Sequence, residues 1–219
     1  MPAGFAARLA GFPDTGPLAA DRFEGTVWEG RMQIDGRHDL TWSLQSARSL
    51  WSFGFAADWH LAGPGTDLSG EVVLRPGGID LGPFSGVAGW PLVAAAMPGL
   101  PISCTGAAKF AAVKVVVDGA VRSGAGIATT PEGECARIDG GTGPVPTPAL
   151  HAQIGTEDDA ITVLITPQDG PRVALVTARL TAADRVVVTI NRAGAALVPG
   201  MPSTQDSELD LPLSILLGR

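Results

Sequence analysis

The chain has 219 residues, of which 29 are Gly and 18 are Pro, while only 17% are charged. Gly and Pro make up about a fifth of the sequence against a usual ~12%. Each costs a helix interior roughly 1–3 kcal/mol, so a helix bundle or a coiled coil is excluded. A 45% hydrophobic share with a formal net charge of −7 argues against disorder. A turn-rich, globular, all-β chain remains. The 15 basic residues are scattered among 22 acidic ones, so the clustered cations that nucleic acid or a polybasic membrane patch would require are missing.

Along the chain, residues 5–23 read as a short amphipathic lead-in, with Phe5, Leu9 and Phe12 near helical spacing and Pro13 and Gly16 ending the pattern. Period-2 alternation takes over from there. A strand over 26–34 puts Thr26, Trp28, Gly30, Met32 and Ile34 on one face, against Val27, Glu29, Arg31 and Gln33 on the other. Asp35-Gly36 predicts a two-residue hairpin turn. The chain returns over 39–45 with Leu40, Trp42 and Leu44 on the apolar side. Segments 53–61, 67–74 and 79–81 continue the meander, with turns at Gly63-Pro64-Gly65 and Pro76-Gly77-Gly78.

Residues 91–97 form the one helical candidate in the middle of the chain, opened by Pro91 and stopped by Pro98-Gly99. An apolar strand pair is expected over 102–118 and a weaker strand over 120–129. Four more strands follow at 150–155, 160–167, 172–180 and 185–191, and the tail from Ser203 is either an edge strand or mobile. The expected fold is an extended, curved antiparallel meander sheet, rolled or sandwich-like, with one or two short helices. It forms a single domain over 1–219, with a sub-boundary at the Gly- and Pro-rich run 140–148.

Catalytic chemistry finds little purchase. His38, His60 and His151 have no metal-ligand spacing and read as solvated or hydrogen-bonded. Asp158-Asp159 reads as a polar turn, because strand neighbours point to opposite faces. Gly82-Pro83-Phe84-Ser85-Gly86 has the wrong spacing for a nucleophile elbow. The expectation is a non-enzyme with neither cofactor nor metal. Cys104 and Cys135 lie outside any C-x-x-C; they are either two buried thiols or a disulfide closing a loop of about 30 residues. Trp28, Trp42 and Trp59 fall on the apolar faces of nearby strands. They serve either as core or as an apolar groove for lipid or a partner strand.

The run Phe23-Glu24-Gly25-Thr26-Val27-Trp28-Glu29-Gly30, followed by Leu40-Thr41-Trp42-Ser43-Leu44, resembles protein N of the type II secretion system. Members begin, after an inner-membrane anchor, with a G-T-V-W-x-G strand and return through L-x-W-x-L. Phe55 to Leu61, Leu68 to Val72 and Leu100-Pro101 fit more loosely. The resemblance implies a non-catalytic periplasmic domain of the secretion apparatus, held at the inner membrane by an anchor that would precede Pro2. Its partners would be other secretion-system subunits, and the membrane would be touched only through that anchor. A periplasmic address favours the Cys104–Cys135 disulfide. Similarity of the family to AsmA-type sheets supplies an alternative: a lipid or hydrophobic-ligand binder whose groove carries Trp28, Trp42 and Trp59.

Overall fold

The computed structural model describes residues 20–96, 102–119, 121–139, 143–181, 183, 185–200, 204 and 206–212. Within them the alternating segments pair in chain order. They form one antiparallel sheet of thirteen strands in the order β1-β2-β3-β4-β5-β6-β8-β9-β12-β13-β14-β15-β16. The first half comprises β1 (Ala20–Gly25), β2 (Glu29–Ile34), β3 (His38–Leu44), β4 (Phe55–Gly63), β5 (Thr66–Arg75), β6 (Gly78–Gly89) and β8 (Ala107–Asp118). The second comprises β9 (Val121–Thr130), β12 (Leu150–Glu157), β13 (Ala160–Pro167), β14 (Val176–Leu180), β15 (Arg185–Ile190) and β16 (Ser207–Pro212). A small satellite sheet holds β10 (Gly133–Arg137) between β7 (Ile102–Cys104) and β11 (Val145–Thr147). Short helices α1 (Ser46–Ser52), α2 (Trp90–Ala96) and α3 (Arg192–Ala195) complete the fold.

The turns follow the glycine and aspartate punctuation. Pro64-Gly65 and Pro76-Gly77 are two-residue hairpins, closed by the pairs Gly63↔Thr66 and Arg75↔Gly78. Asp158-Asp159 closes β12 onto β13 with both residues at positive φ, 49° and 57°, as a primed hairpin turn requires. The turn at Asp35-Gly36 is one residue longer than expected. Asp35 and Gly36 have positive φ and Arg37 donates its amide to the Ile34 carbonyl, but the paired residues are Ile34 and His38.

Several expectations change. The strand expected over 26–34 begins only at Glu29, because Gly25 takes φ +91° and Thr26–Trp28 bends between β1 and β2. Of the lead-in over 5–23, residues 5–19 lie outside the described residues, while 20–23 open β1. The short strand at 79–81 extends to twelve residues, since irregular pairing around Gly82-Pro83 absorbs the Gly- and Pro-rich run instead of ending the strand. The segment 102–118 does not fold on itself: β7 joins the satellite sheet and β8 the main one. Helix α2 was expected, whereas α1 and α3 were not. Strand β12 pairs directly with β9, so the main sheet continues from Thr130 to Leu150. Residues 98–101, 140–142 and the apolar end of the tail from Leu213 lie outside the described residues.

Register fixes which side chains share a face. His38, Leu40, Trp42 and Leu44 of β3 are buried or half-buried, while Thr41 and Ser43 are exposed. Carried across the ladder, the first face takes in Met32, Ile34, Leu61, Leu68, Phe84, Phe110, Val113, Ala128, Ile154, Ile161, Val163 and Val188. Met32, Leu68, Val113, Ala128 and Ile161 are the most deeply buried of these. At ~4.8 Å per strand, thirteen strands span about 58 Å and three span about 10 Å. The satellite sheet is therefore too narrow to back the main one as a full layer. Much of the apolar face accordingly remains half-buried, including Trp42, Trp59, Phe84, Phe110, Ile154, Val163 and Val188.

Candidate functional site

One cross-strand row organises the first half of the sheet. Gly25, Gly30, Trp42, Trp59, Gly70 and Phe84 are successive partners from β1 to β6. On the apolar face the rings fill lanes that the glycines leave open. A Cβ at Gly30 would collide with the Trp42 indole, and one at Gly70 would lie 2.8 Å from the Phe84 Cα. Trp59 therefore reaches Phe84 with 5.8 Å between ring centroids, and Phe84 reaches Phe110 at 5.7 Å. Trp42 Nε1 donates to the Val27 carbonyl at 3.2 Å. Trp59 Nε1 is buried and has no hydrogen-bond partner among the described residues.

Of the three tryptophans expected on this face, Trp42 and Trp59 are direct partners. Trp28 is not among them: the bend after Gly25 carries it out of the alternation, and it is 59% exposed. Thr26 Oγ1 fixes that bend by accepting the amides of Trp28 and Glu29, and the Trp28 carbonyl accepts from Leu44. Sequence reasoning missed Phe84 and Phe110. The glycines and proline around Phe84 read as a break in the alternation, and only the cross-strand register places its ring beside Gly70.

The opposite face is polar and ion-paired across strands. Arg31 holds Asp39 through two contacts, Nε–Oδ1 at 3.0 Å and Nη2–Oδ2 at 2.7 Å. This hydrogen bond and the attraction of the opposite charge hold the Asp39 carboxyl below its ordinary value and raise Arg31. His60 Nε2 meets Asp67 Oδ1 at 2.9 Å, Gln45 donates to Asp58, and Arg48 pairs with Glu71. Here the backbone of the Gly25–Gly30–Trp42–Trp59 row floors a trough of about 550 Å³. Glu24, Arg31, Thr41 and His60 wall one side, and Glu29, Ser43 and Asp58 the other.

The histidines separate. His60 is half-exposed with Nε2 on Asp67, while His38 is fully buried, with Nδ1 on Asp35 at 2.9 Å and its ring lying over Gly63. His151 lies on β12. Among the described residues no group of three or more His, Cys, Asp or Glu side chains is placed to hold a metal ion. The cysteines do meet. Cys104 on β7 and Cys135 on β10 are directly opposed, with sulfurs 2.08 Å apart. They tie the satellite sheet across 31 residues of chain, a pairing that spacing left open. Comparisons of the chain with known protein families, curated proteins and solved structures return no match.

Proposed function

We propose that this chain is the periplasmic domain of a type II secretion system component of the protein N kind. It is non-catalytic, acts through protein–protein contacts with other subunits, and is tethered to the inner membrane by an anchor in the full-length protein. The observation that carries this reading is the way the resembling motif builds the start of the sheet. Gly25 supplies the left-handed bend, Thr26 caps it, Gly30 makes room for the ring of Trp42, and Leu40, Trp42 and Leu44 line the apolar face. Among the described residues the sheet ends on two strands, β1 and β16, and a sheet edge suits strand addition by a partner.

The test is crosslinking of the anchored full-length protein in membranes, followed by affinity recovery and mass spectrometry. Secretion-system subunits should be enriched over a control membrane protein. Recovery without any of them would sink the reading.

A second reading has its own observation. The aromatic row Trp42, Trp59, Phe84 and Phe110 stays half-buried on a sheet wider than its satellite can back, as a surface for an acyl chain or another apolar ligand would. Native mass spectrometry of protein purified from cells should then show a lipid mass adduct that solvent extraction removes. Adduct-free protein would reject this reading and leave the first untouched.

A further inference from the structure

Strand β1 ends the main sheet on one side, and among the described residues no strand pairs with its outer edge. Its inner register, Arg22↔Gln33, Phe23↔Met32 and Glu24↔Arg31, sets which side chains share a face. Phe23 is half-buried on the apolar face beside Met32. Arg22 and Glu24 stand on the polar face, 73% and 61% exposed, with 3.9 Å between Nη1 and Oε1. A sheet edge is a template for a further strand, and charges of one sign along it repel a copy of itself. This edge instead carries a base and an acid two residues apart.

We infer that β1 pairs antiparallel with β1 of a second copy of this chain, about a two-fold axis at Phe23. Register selects the second copy as the occupant. A two-fold axis perpendicular to the sheet keeps the apolar faces of both copies on one side, so only residues of the same face stand opposite each other. Centring the pair on Asp21, Arg22 or Glu24 opposes that charge to itself, and centring on Ala20 or Gly25 leaves most of the strand without a partner. The register centred on Phe23 engages residues 21–25 of both copies, sets Phe23 against Phe23, and brings each Arg22 opposite Glu24 of the other copy. The charges then alternate in sign around the axis, the arrangement that stabilises cross-strand pairs. Asp21 falls opposite Gly25, Arg31 is engaged by Asp39, and Glu29 stands on β2, a strand away from the junction.

The other edge fails the same test. Glu208 and Asp210 share a face of β16, so centring on Glu208, Leu209 or Asp210 opposes acid to acid, and Pro212 has no amide to donate. Joining β1 to β16 of another copy fails too: where Arg22 meets Asp210, Glu24 meets Glu208, and where Arg22 meets Glu208, Glu24 meets Asp206. A junction of six-residue strands buries less than the ~800 Å² per partner of a tight interface, so the dimer forms in a concentration-dependent way. The pairing does not rest on the secretion reading, and it leaves β16 as the edge for a different chain.

The experiment is sedimentation velocity of the purified chain at roughly 10 to 1,000 µM, the range that a weak interface calls for. A monomer–dimer equilibrium is expected. Arg22→Glu and Glu24→Arg should each weaken it roughly tenfold or more with an unchanged circular dichroism spectrum, because each turns the attractive contacts on both sides of the axis into repulsive ones. An equal mixture of the two variants should restore the dimer, since every base then faces an acid across the junction. Phe23→Cys should give a disulfide-linked dimer under mild oxidant, Cys104 and Cys135 being already bonded to each other, whereas Leu209→Cys should not. A chain that stays monomeric over the whole range overturns the inference. So do single variants that associate as well as the unsubstituted chain, a mixture that fails to recover, or crosslinking through Leu209→Cys in place of Phe23→Cys. Species that keep growing beyond a dimer overturn it as well.

Discussion

Trp59 on β4 and Phe84 on β6 are joined ring to ring, 5.8 Å between centroids, although a whole strand separates them. They meet because β5 places Gly70 between them, paired with both. The contact depends on an absent side chain as much as on the two that are present.

Gly70→Val is therefore expected to destabilise the chain by about 2–3 kcal/mol. A Cβ there would lie 2.8 Å from the Phe84 Cα and 3.0 Å from the Pro83 carbonyl oxygen. Those are backbone atoms that no rotamer change can move. Urea unfolding followed by far-ultraviolet circular dichroism measures the loss, and an unchanged midpoint would mean that β5 and β6 do not approach so closely.

The tryptophans should respond unequally to truncation. Trp42→Ala removes a half-buried ring from the lane over Gly30, together with its bond to the Val27 carbonyl, and should cost about 2–3 kcal/mol. Trp28→Ala removes a ring that is 59% exposed and should stay within ~0.5–1 kcal/mol. Equal losses in the same urea series would return Trp28 to the apolar face.

Cys104 and Cys135 should be unreactive toward alkylating reagent in denaturant and take up two labels after reduction, read by intact-mass spectrometry. With 31 residues spanned, the crosslink should contribute about 3–4 kcal/mol through the unfolded state. Replacing both residues by serine should lower the melting temperature accordingly. Two labels without reductant would show the thiols to be free.

Asp39 should titrate below an ordinary aspartate, because Arg31 bonds and attracts its ionised form. The sign follows from the depressed value. The contribution of the pair is fully present above the unfolded aspartate value, near pH 4, and is lost as pH falls through the lower folded value. Both side chains reach solvent, so the depression should shrink at high salt. Carbon-detected NMR titration of the Asp39 carboxyl, alone and with Arg31→Gln, measures it; a midpoint insensitive to the substitution would remove Arg31 as the cause.

Local chemistry explains which parts of the fold were readable in advance. Strands β3 and β12 alternate closely, and β4, β5, β12 and β13 are bounded by glycine, proline or aspartate turns, so period and punctuation agree. Strand β6 was cut short because Gly82-Pro83 reads as a stop, whereas in the sheet a local irregularity takes up the extra residue. Helix α1 has too few apolar contacts with the protein to leave a periodic signal, and its apolar residues face outward.

Composition and alternation by themselves determined an acidic, non-helical meander with hairpins at its glycine clusters, since backbone preference and side-chain period are local properties. They also placed Trp42 and Trp59 on one face. Only the tertiary structure decided that Cys104 meets Cys135, that Phe84 and Phe110 extend the tryptophan row, and that Trp28 leaves it. Each of those depends on register between segments or on a single left-handed residue such as Gly25. A one-residue shift there reverses every side chain that follows, and no local pattern reports it.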